Sequence, residues 1–251
     1  MTTYQRWTGG PLLLAGSGEY TAAMAATDRL VLRAVGRERP RVALLPTASA
    51  LEPGMPEQWN RRGVEHYRRL GCEPVPLLLR TREDAHNPQI AAAIAGCDLI
   101  YFSGGQPDHL IETLADSPAL AAVRDVVAGG GALAGCSAGA MMMGVATVSI
   151  RGLLQSGRLH WRSAHAVAGG LVVIPHFDRI HQYVPIDELE QALRALPPQL
   201  TAVGIDEFTA LVDLGDGWQV SGLHSVTVFA PDGPHVYRAG QRPPAALTEG
   251  S

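Results

Sequence analysis

The chain has 251 residues, 46% hydrophobic and 18% charged, with a formal net charge of −4, enough apolar material for one sizeable folded core. No run of like charges gives an electrostatic footprint for DNA, RNA or anionic lipid, so nucleic-acid and membrane-surface partners are not expected. All twenty basic residues are Arg, which excludes lysine Schiff-base and Ser-Lys chemistry.

Three cysteines without a CxxC spacing indicate neither a disulfide framework nor a zinc site, and fit a reducing compartment. MTTYQRWTGGPLLLAG lacks the basic start and long apolar run of a signal peptide, and no stretch reaches membrane-spanning length. The expectation is a soluble, cytoplasmic protein.

In chain order, PLLLAGSG (11–18), RVALLPTAS (41–49), PVPLLL (74–79), DLIYFSGG (98–105) and GALAGCS (131–137) predict buried strands ending in small or turn residues. Helices are predicted over 20–36, 56–70, 87–96 and 107–128, with Pro118 as a candidate break in the last. The alternation is that of a parallel sheet with helices on both faces, in which ligands gather at the carboxyl ends of the strands.

Beyond Met143 the texture changes. VATVSIRGLL (145–154), GLVVIPHF (170–177), TAVGIDE (201–207), TALVDL (209–214) and WQVSGLHSVTVFAP (218–231) read as strands. Among them lies one helix, PIDELEQALRAL (185–196), stopped by Pro197 and Pro198. No repeat or flexible linker divides the chain, so residues 1–251 are expected to form one catalytic α/β domain, with 242–251 a frayed tail.

Gly135-Cys136-Ser137-Ala138-Gly139 is G-x-S-x-G between a strand-like and a helix-like run, the context of a nucleophile elbow. Ser137 occupies the nucleophile position, and small neighbours let the backbone pass close. Around Cys136 the frame lacks both glycines, so Cys136 reads as core packing. A tight turn built of small residues is the alternative.

A serine hydroxyl needs a base to take its proton and a third group to orient that base. Of the nine histidines, His66, His86 and His235 read as surface residues, and His109 fits either the site or a helix start. His160 and His165 flank Trp161 in a segment without clear periodicity that suits a substrate loop, while His224 reads as core or rim. His176 differs because IPHF puts the ring at a strand terminus; a half-buried histidine satisfied by backbone is the competing reading, and His181 the local competitor. In TAVGIDEFTALV, Asp206 and Glu207 interrupt two apolar strands. Alternation along a strand lets only one of them face inward, and spacing leaves the choice open.

YFSGGQPDHL, AGCSAGAMMMG, IPHF and GIDEFTALV, in that order over roughly residues 10–215, resemble the serine peptidase family of aspartyl dipeptidase (dipeptidase E) and cyanophycinase. The resemblance implies a three-layer α/β fold, a mostly parallel central sheet flanked by helices as in class I glutamine amidotransferases. It implies hydrolysis of small Asp-containing peptides without metal or cofactor. By position it implies Ser137 as nucleophile, His176 as general base, and Glu207 of G-I-D-E as the acid in preference to Asp206. Gly105 and the N–H of Ala138 then form the oxyanion hole, with Gln106 beside them as a substrate contact.

The chain departs from cyanophycinases where Gly104-Gly105-Gln106-Pro107 replaces their G-G-D-Q, and HFDRIHQ lacks their denser Arg/Gln pattern. For an Asp-containing substrate, Arg179 is the first candidate partner because its planar fork matches a carboxylate; Arg151, Arg158 and Arg162 follow. The expected partners are a small peptide substrate and a second copy of the chain in a homodimer. Two other readings stand beside this one: a non-catalytic amino-acid or peptide binding protein, and an amidohydrolase acting on another amide, including one with Cys136 as nucleophile.

Overall fold

The computed structural model describes residues 5–244. Its first half runs β1 (Leu12–Ala15), α1 (Ala25–Val35), β2 (Arg41–Leu45), α2 (Met55–Arg69), β3 (Glu73–Pro76), α3 (Arg82–Ala85) and α4 (Pro88–Ala95). It continues through β4 (Leu99–Phe102), α5 (Pro107–Leu114), α6 (Pro118–Ala128), β5 (Ala132–Cys136) and α7 (Ala138–Met143). The helical pattern over 107–128 divides at Pro118, which opens α6 while the Ser117 hydroxyl accepts from the Leu120 N–H. The short α3, opened by a Thr81–Asp84 capping box, has no counterpart among the predicted helices.

The second half runs β6 (Ala146–Val148), α8 (Ile150–Ser156), β7 (Trp161–Ser163), β8 (Leu171–Pro175) and α9 (Ile186–Arg194). It ends with β9 (Thr201–Ile205), β10 (Thr209–Asp213), β11 (Trp218–Gly222), β12 (Ser225–Ala230) and β13 (Gly233–Arg238). The strand expected through 145–154 stops at Val148 and gives way to α8. There the Ser149 side chain caps the Gly152 N–H, and Gly157 at φ 70° ends the helix, so local capping overrides the apolar run. β7 and β13 are additional to the predicted strands. The segment expected to fray from Arg242 is held at its start, where the Arg242 guanidinium lies 2.7 Å from Asp216; residues 245–251 lie outside the described residues.

Seven strands form one sheet in the order β11-β10-β1-β5-β4-β2-β3. β1 to β5 are mutually parallel, and β10 and β11 add an antiparallel edge. The other six form a second sheet, β13-β12-β9-β8-β6-β7, parallel only across β9-β8-β6. The expected mostly parallel sheet is therefore present, and most of the later strands build a sheet of their own.

Alternate residues of the central strands enter separate buried clusters. Leu12, Leu14, Ile100, Phe102 and Leu133 belong to one, and Leu13, Val42, Leu44, Leu99, Tyr101 and Cys136 to the other. With both faces covered, these strands read as unbroken apolar runs. Truncating such a leucine to Ala costs about 2–5 kcal/mol.

One expected surface residue is inside. His66 is buried on the inner face of α2, its Nε2 2.7 Å from Asp28 Oδ2, and the Tyr67 hydroxyl donates to Asp28 Oδ1 at 3.4 Å. A partner on α1 makes that burial tolerable. Among the described residues no helix is long and apolar enough to cross a membrane.

Candidate active site

β5 ends at Cys136 and α7 begins at Ala138, so Ser137 makes the whole turn. It does so at φ 51° and ψ −113°, a conformation that is strained for a residue with a Cβ. The flanking glycines make the turn passable: a Cβ on Gly135 would strike the Gly139 carbonyl oxygen, and one on Gly139 would strike the carbonyl of Phe102.

By strand alternation Cys136 is fully buried, as expected for packing, yet it has a polar partner: its thiol donates to Glu19 Oε2 at 3.1 Å. Burial first, and then the Glu19 charge, push that thiol well above its ordinary range and keep it protonated. Ser137 is the neighbour that solvent reaches.

His176 ends β8 in the second sheet. Its left-handed backbone, φ 52°, turns the ring toward β5, with Nε2 2.9 Å from Ser137 Oγ and Nδ1 2.9 Å from Glu207 Oε1. Glu207 lies between β9 and β10, where the chain passes from the second sheet to the first. The turn after His176 holds Glu207 at two points, its backbone and its carboxylate. The Glu207 N–H donates to Asp178 Oδ1 at 2.9 Å, and Arg179 Nε lies 3.2 Å from Glu207 Oε2. Asp206 faces the opposite way, its Oδ2 accepting from the Ser225 N–H and hydroxyl at 3.0 and 2.6 Å.

The loop after β4 completes the surroundings of Ser137. Gly104 is buried and its N–H donates to Glu19 Oε1 at 2.9 Å, while the Gln106 N–H donates to the Ala48 carbonyl at 2.7 Å. Between them Gly105 adopts φ +142°, where a Cβ would collide with the Ala48 backbone. The N–H groups of Gly105 and Ala138 donate to no acceptor among the described residues. Gly105, Gln106, Ser137 and His176 line one cavity of about 240 Å³.

Glu19, Asp178 and Tyr183 are the residues that sequence reasoning missed. Glu19 follows β1 in GSGEY, at the same carboxyl edge as the other motifs, and that position was its available signal. Tyr183 stacks obliquely on His176 with ring centres 5.3 Å apart.

The remaining candidates are engaged elsewhere. Arg151 pairs with Glu112 at 3.0 Å and Arg162 with Asp108 at 2.6 Å. Burial alone would raise the Asp108 carboxyl, but the Arg151 N–H, the Arg162 guanidinium and the Ser149 hydroxyl together hold it below its usual value. Arg158 lines a separate depression beside Trp161. His109 bonds the Arg80 carbonyl at 2.8 Å and His160 the Ser156 hydroxyl at 2.9 Å. His165 is only partly exposed and driven down to about 4 by burial, while His181 and His224 are exposed. None of these rings bonds Ser137. Among the described residues no group of three or more His, Cys, Asp or Glu is placed to hold a metal ion.

A parallel α/β sheet that presents a strained elbow serine within hydrogen-bond reach of an imidazole has the architecture found in serine hydrolases. Comparison with known proteins sharpens this, because the profile of peptidase family S51 matches residues 12–220. The chain belongs to peptidase family S51.

It is similar to the cyanophycinase of Trichormus variabilis (strain ATCC 29413 / PCC 7937), 34% identical over 202 residues, covering 78% of this chain and 65% of that one. The cyanophycinase of Synechococcus elongatus is 31% identical over 196 residues, covering 76% and 58%. The chain thus spans less than two thirds of the length of these relatives. Among solved structures, a peptidase from an acI-B1 Actinobacterium matches with a TM-score of 0.83 at 33% identity, over 95% of this chain and 98% of that one. A putative peptidase E protein from Listeria monocytogenes EGD-e shares the fold, with a TM-score of 0.60 at 19% identity over 85% and 98%.

Proposed function

We propose that the protein hydrolyses small peptides through an acyl-enzyme, with Ser137 as nucleophile, His176 as general base and Glu207 as the orienting acid. The carrying observation is the unbroken series Ser137 Oγ to His176 Nε2 at 2.9 Å and His176 Nδ1 to Glu207 Oε1 at 2.9 Å. Ser137 Oγ attacks the peptide carbonyl carbon as its proton passes to His176 Nε2. The carbonyl oxygen becomes an oxyanion, which the free N–H groups of Gly105 and Ala138 receive. Glu207 fixes the tautomer and stabilises the imidazolium. His176 then protonates the departing amine as the C–N bond breaks, and a water deprotonated by His176 releases the acid from Ser137.

The reading of Asp-containing peptides as substrates, with Gln106 and Arg179 as contacts, is part of this proposal. It is supported by the relatives named cyanophycinase and by the half-exposed Arg179, whose guanidinium stands beside Glu207 with Nε 3.2 Å from its Oε2. The same series supports treating the chain as one catalytic domain, since its members come from both sheets and the crossing between them. A purely binding protein has no need of an imidazole 2.9 Å from Ser137.

The test is labelling by a small fluorophosphonate together with hydrolysis of Asp-X and β-Asp-Arg dipeptides. Wild type is expected to be labelled on Ser137 and to cleave. Ser137→Ala is expected to fold and do neither, and undiminished hydrolysis by that variant overturns the assignment.

A further inference from the structure

The cavity beside Ser137 has walls that the reading above does not use. Met141, Val148, Ile150, Ile180, Tyr183 and Val184 are among its lining residues, and no Asp, Glu or Arg among the described residues lines it. The arginines nearest in sequence are held off: Arg151 and Arg162 by Glu112 and Asp108, Arg179 by Glu207 and Asp178. Within the cavity the polar side chains are Gln106, Ser137, His176 and the Tyr183 hydroxyl, and the Ser137 and His176 atoms are already bonded to each other.

We propose that this cavity is a subsite for a non-polar side chain, aliphatic or aromatic, on a residue flanking the scissile bond. The inference rests on the peptidase reading above and adds the substrate class. A carboxylate or guanidinium entering here gives up its water and meets no opposite charge, which is unfavourable. A Leu or Phe side chain leaves water for an apolar wall, and a volume of about 240 Å³ accommodates one such side chain but not an extended polymer of charged branches. An Asp on the other side of the scissile bond stays free to reach Arg179, so the favoured small substrate pairs one acidic and one apolar residue.

Apart from Met141 on α7, the walls named above come from three segments that the nucleophile does not share: β6 with the start of α8 (Val148, Ile150), the 3-10 turn after His176 (Ile180), and the residues leading to α9 (Tyr183, Val184). Specificity is therefore separable from the elbow. Ile150 at the first turn of α8 and Ile180 are only partly buried, so each is a position where a charge can be introduced into the wall without emptying the core.

The experiment measures kcat/KM of wild-type protein for dipeptides varied one residue at a time, X-Ala, Ala-X, Asp-X and X-Asp, with X as Leu, Phe, Asp or Arg, alongside fluorophosphonate labelling of Ser137. Leu or Phe is expected to exceed Asp and Arg about 10- to 100-fold at one of the two positions, the factor that burying such a side chain supplies. In Ile180→Arg or Ile150→Arg, whichever retains labelling, the preference at that position is expected to shift toward Asp. Wild type that is labelled and cleaves peptides with Asp or Arg equal to or better than Leu and Phe at both positions overturns the apolar subsite and leaves the peptidase reading standing. Wild type that is neither labelled nor active overturns the peptidase reading, and the subsite with it.

Discussion

Glu19→Ala is the substitution whose effect the structure determines most sharply. Glu19 bridges two groups behind Ser137, accepting from the Gly104 N–H at 2.9 Å and from the Cys136 thiol at 3.1 Å. Truncation leaves the buried Gly104 N–H without an acceptor, at a cost of about 1–3 kcal/mol in stability. Gly104 is bonded covalently to Gly105, whose N–H is the proposed oxyanion donor. If the loop relaxes enough to withdraw that donor, the loss in kcat approaches the roughly 10²–10³-fold of a deleted oxyanion-hole group. Glu19→Gln keeps a carbonyl oxygen for Gly104 and is expected to stay within about tenfold of wild type. The assay is kcat and KM on a cleaved dipeptide with the thermal midpoint measured in parallel. A kcat within twofold of wild type in Glu19→Ala, with the midpoint lowered, refutes the positioning role and leaves Glu19 a purely structural anchor.

Three further outcomes are expected. His165, partly exposed with a buried Nε2 that has no hydrogen-bond partner among the described residues, is held down to about 4 against an ordinary 6.5, so between those values the unfolded chain binds more protons than the folded one. Its contribution is complete above pH 6.5 and is lost as pH falls toward 4; wild type should lose up to about 2 kcal/mol between pH 6.5 and 5 that His165→Gln does not, and equal slopes in thermal or urea melts contradict this. Iodoacetamide at neutral pH should leave hydrolysis intact because the Cys136 thiol is buried and protonated; an inactivation that Cys136→Ser abolishes would restore cysteine chemistry as a contender. Gly139→Ala should destabilise the protein by about 1–3 kcal/mol or more and impair the elbow, since the new methyl meets the Phe102 backbone rather than a side chain that can move; a variant with wild-type melting and turnover contradicts that packing.

What the sequence discloses about this molecule follows distance along the chain. Four of the five parallel strands, β1, β2, β4 and β5, are legible because both faces of their sheet are covered and each is apolar at successive positions, whereas β3, EPVP at the sheet edge, has no buried residue. The elbow is legible because Gly135, Ser137 and Gly139 are local to one turn. The choice between Asp206 and Glu207 is not, since it depends on Ser225, 19 residues further on, capturing Asp206. His66 reads as a surface residue in a charged helix because its partner, Asp28, is 38 residues away. Glu19 escapes notice for the same reason: the amide it holds lies 85 residues downstream. The helix α8 is the opposite case: its Ser149 cap and terminal Gly157 are local signals, but the β-branched residues around them give the segment the texture of a strand.

The passage of the chain from β9 to β10 carries a further meaning. Ser137 closes a strand of one hydrogen-bonded sheet, His176 closes a strand of the other, and Glu207 stands on the bridge between them. The constellation is thus a gauge of how two layers sit on each other, and a displacement near 1 Å is enough to cost about 10²-fold in rate. A lesion in the packing of Leu171 or Val203, second-sheet residues that share one buried cluster with Leu12, Leu14 and Phe102 of the first sheet, can silence the proposed activity while the elbow keeps its shape. Inactivity in such a variant is a statement about alignment between layers rather than about chemistry.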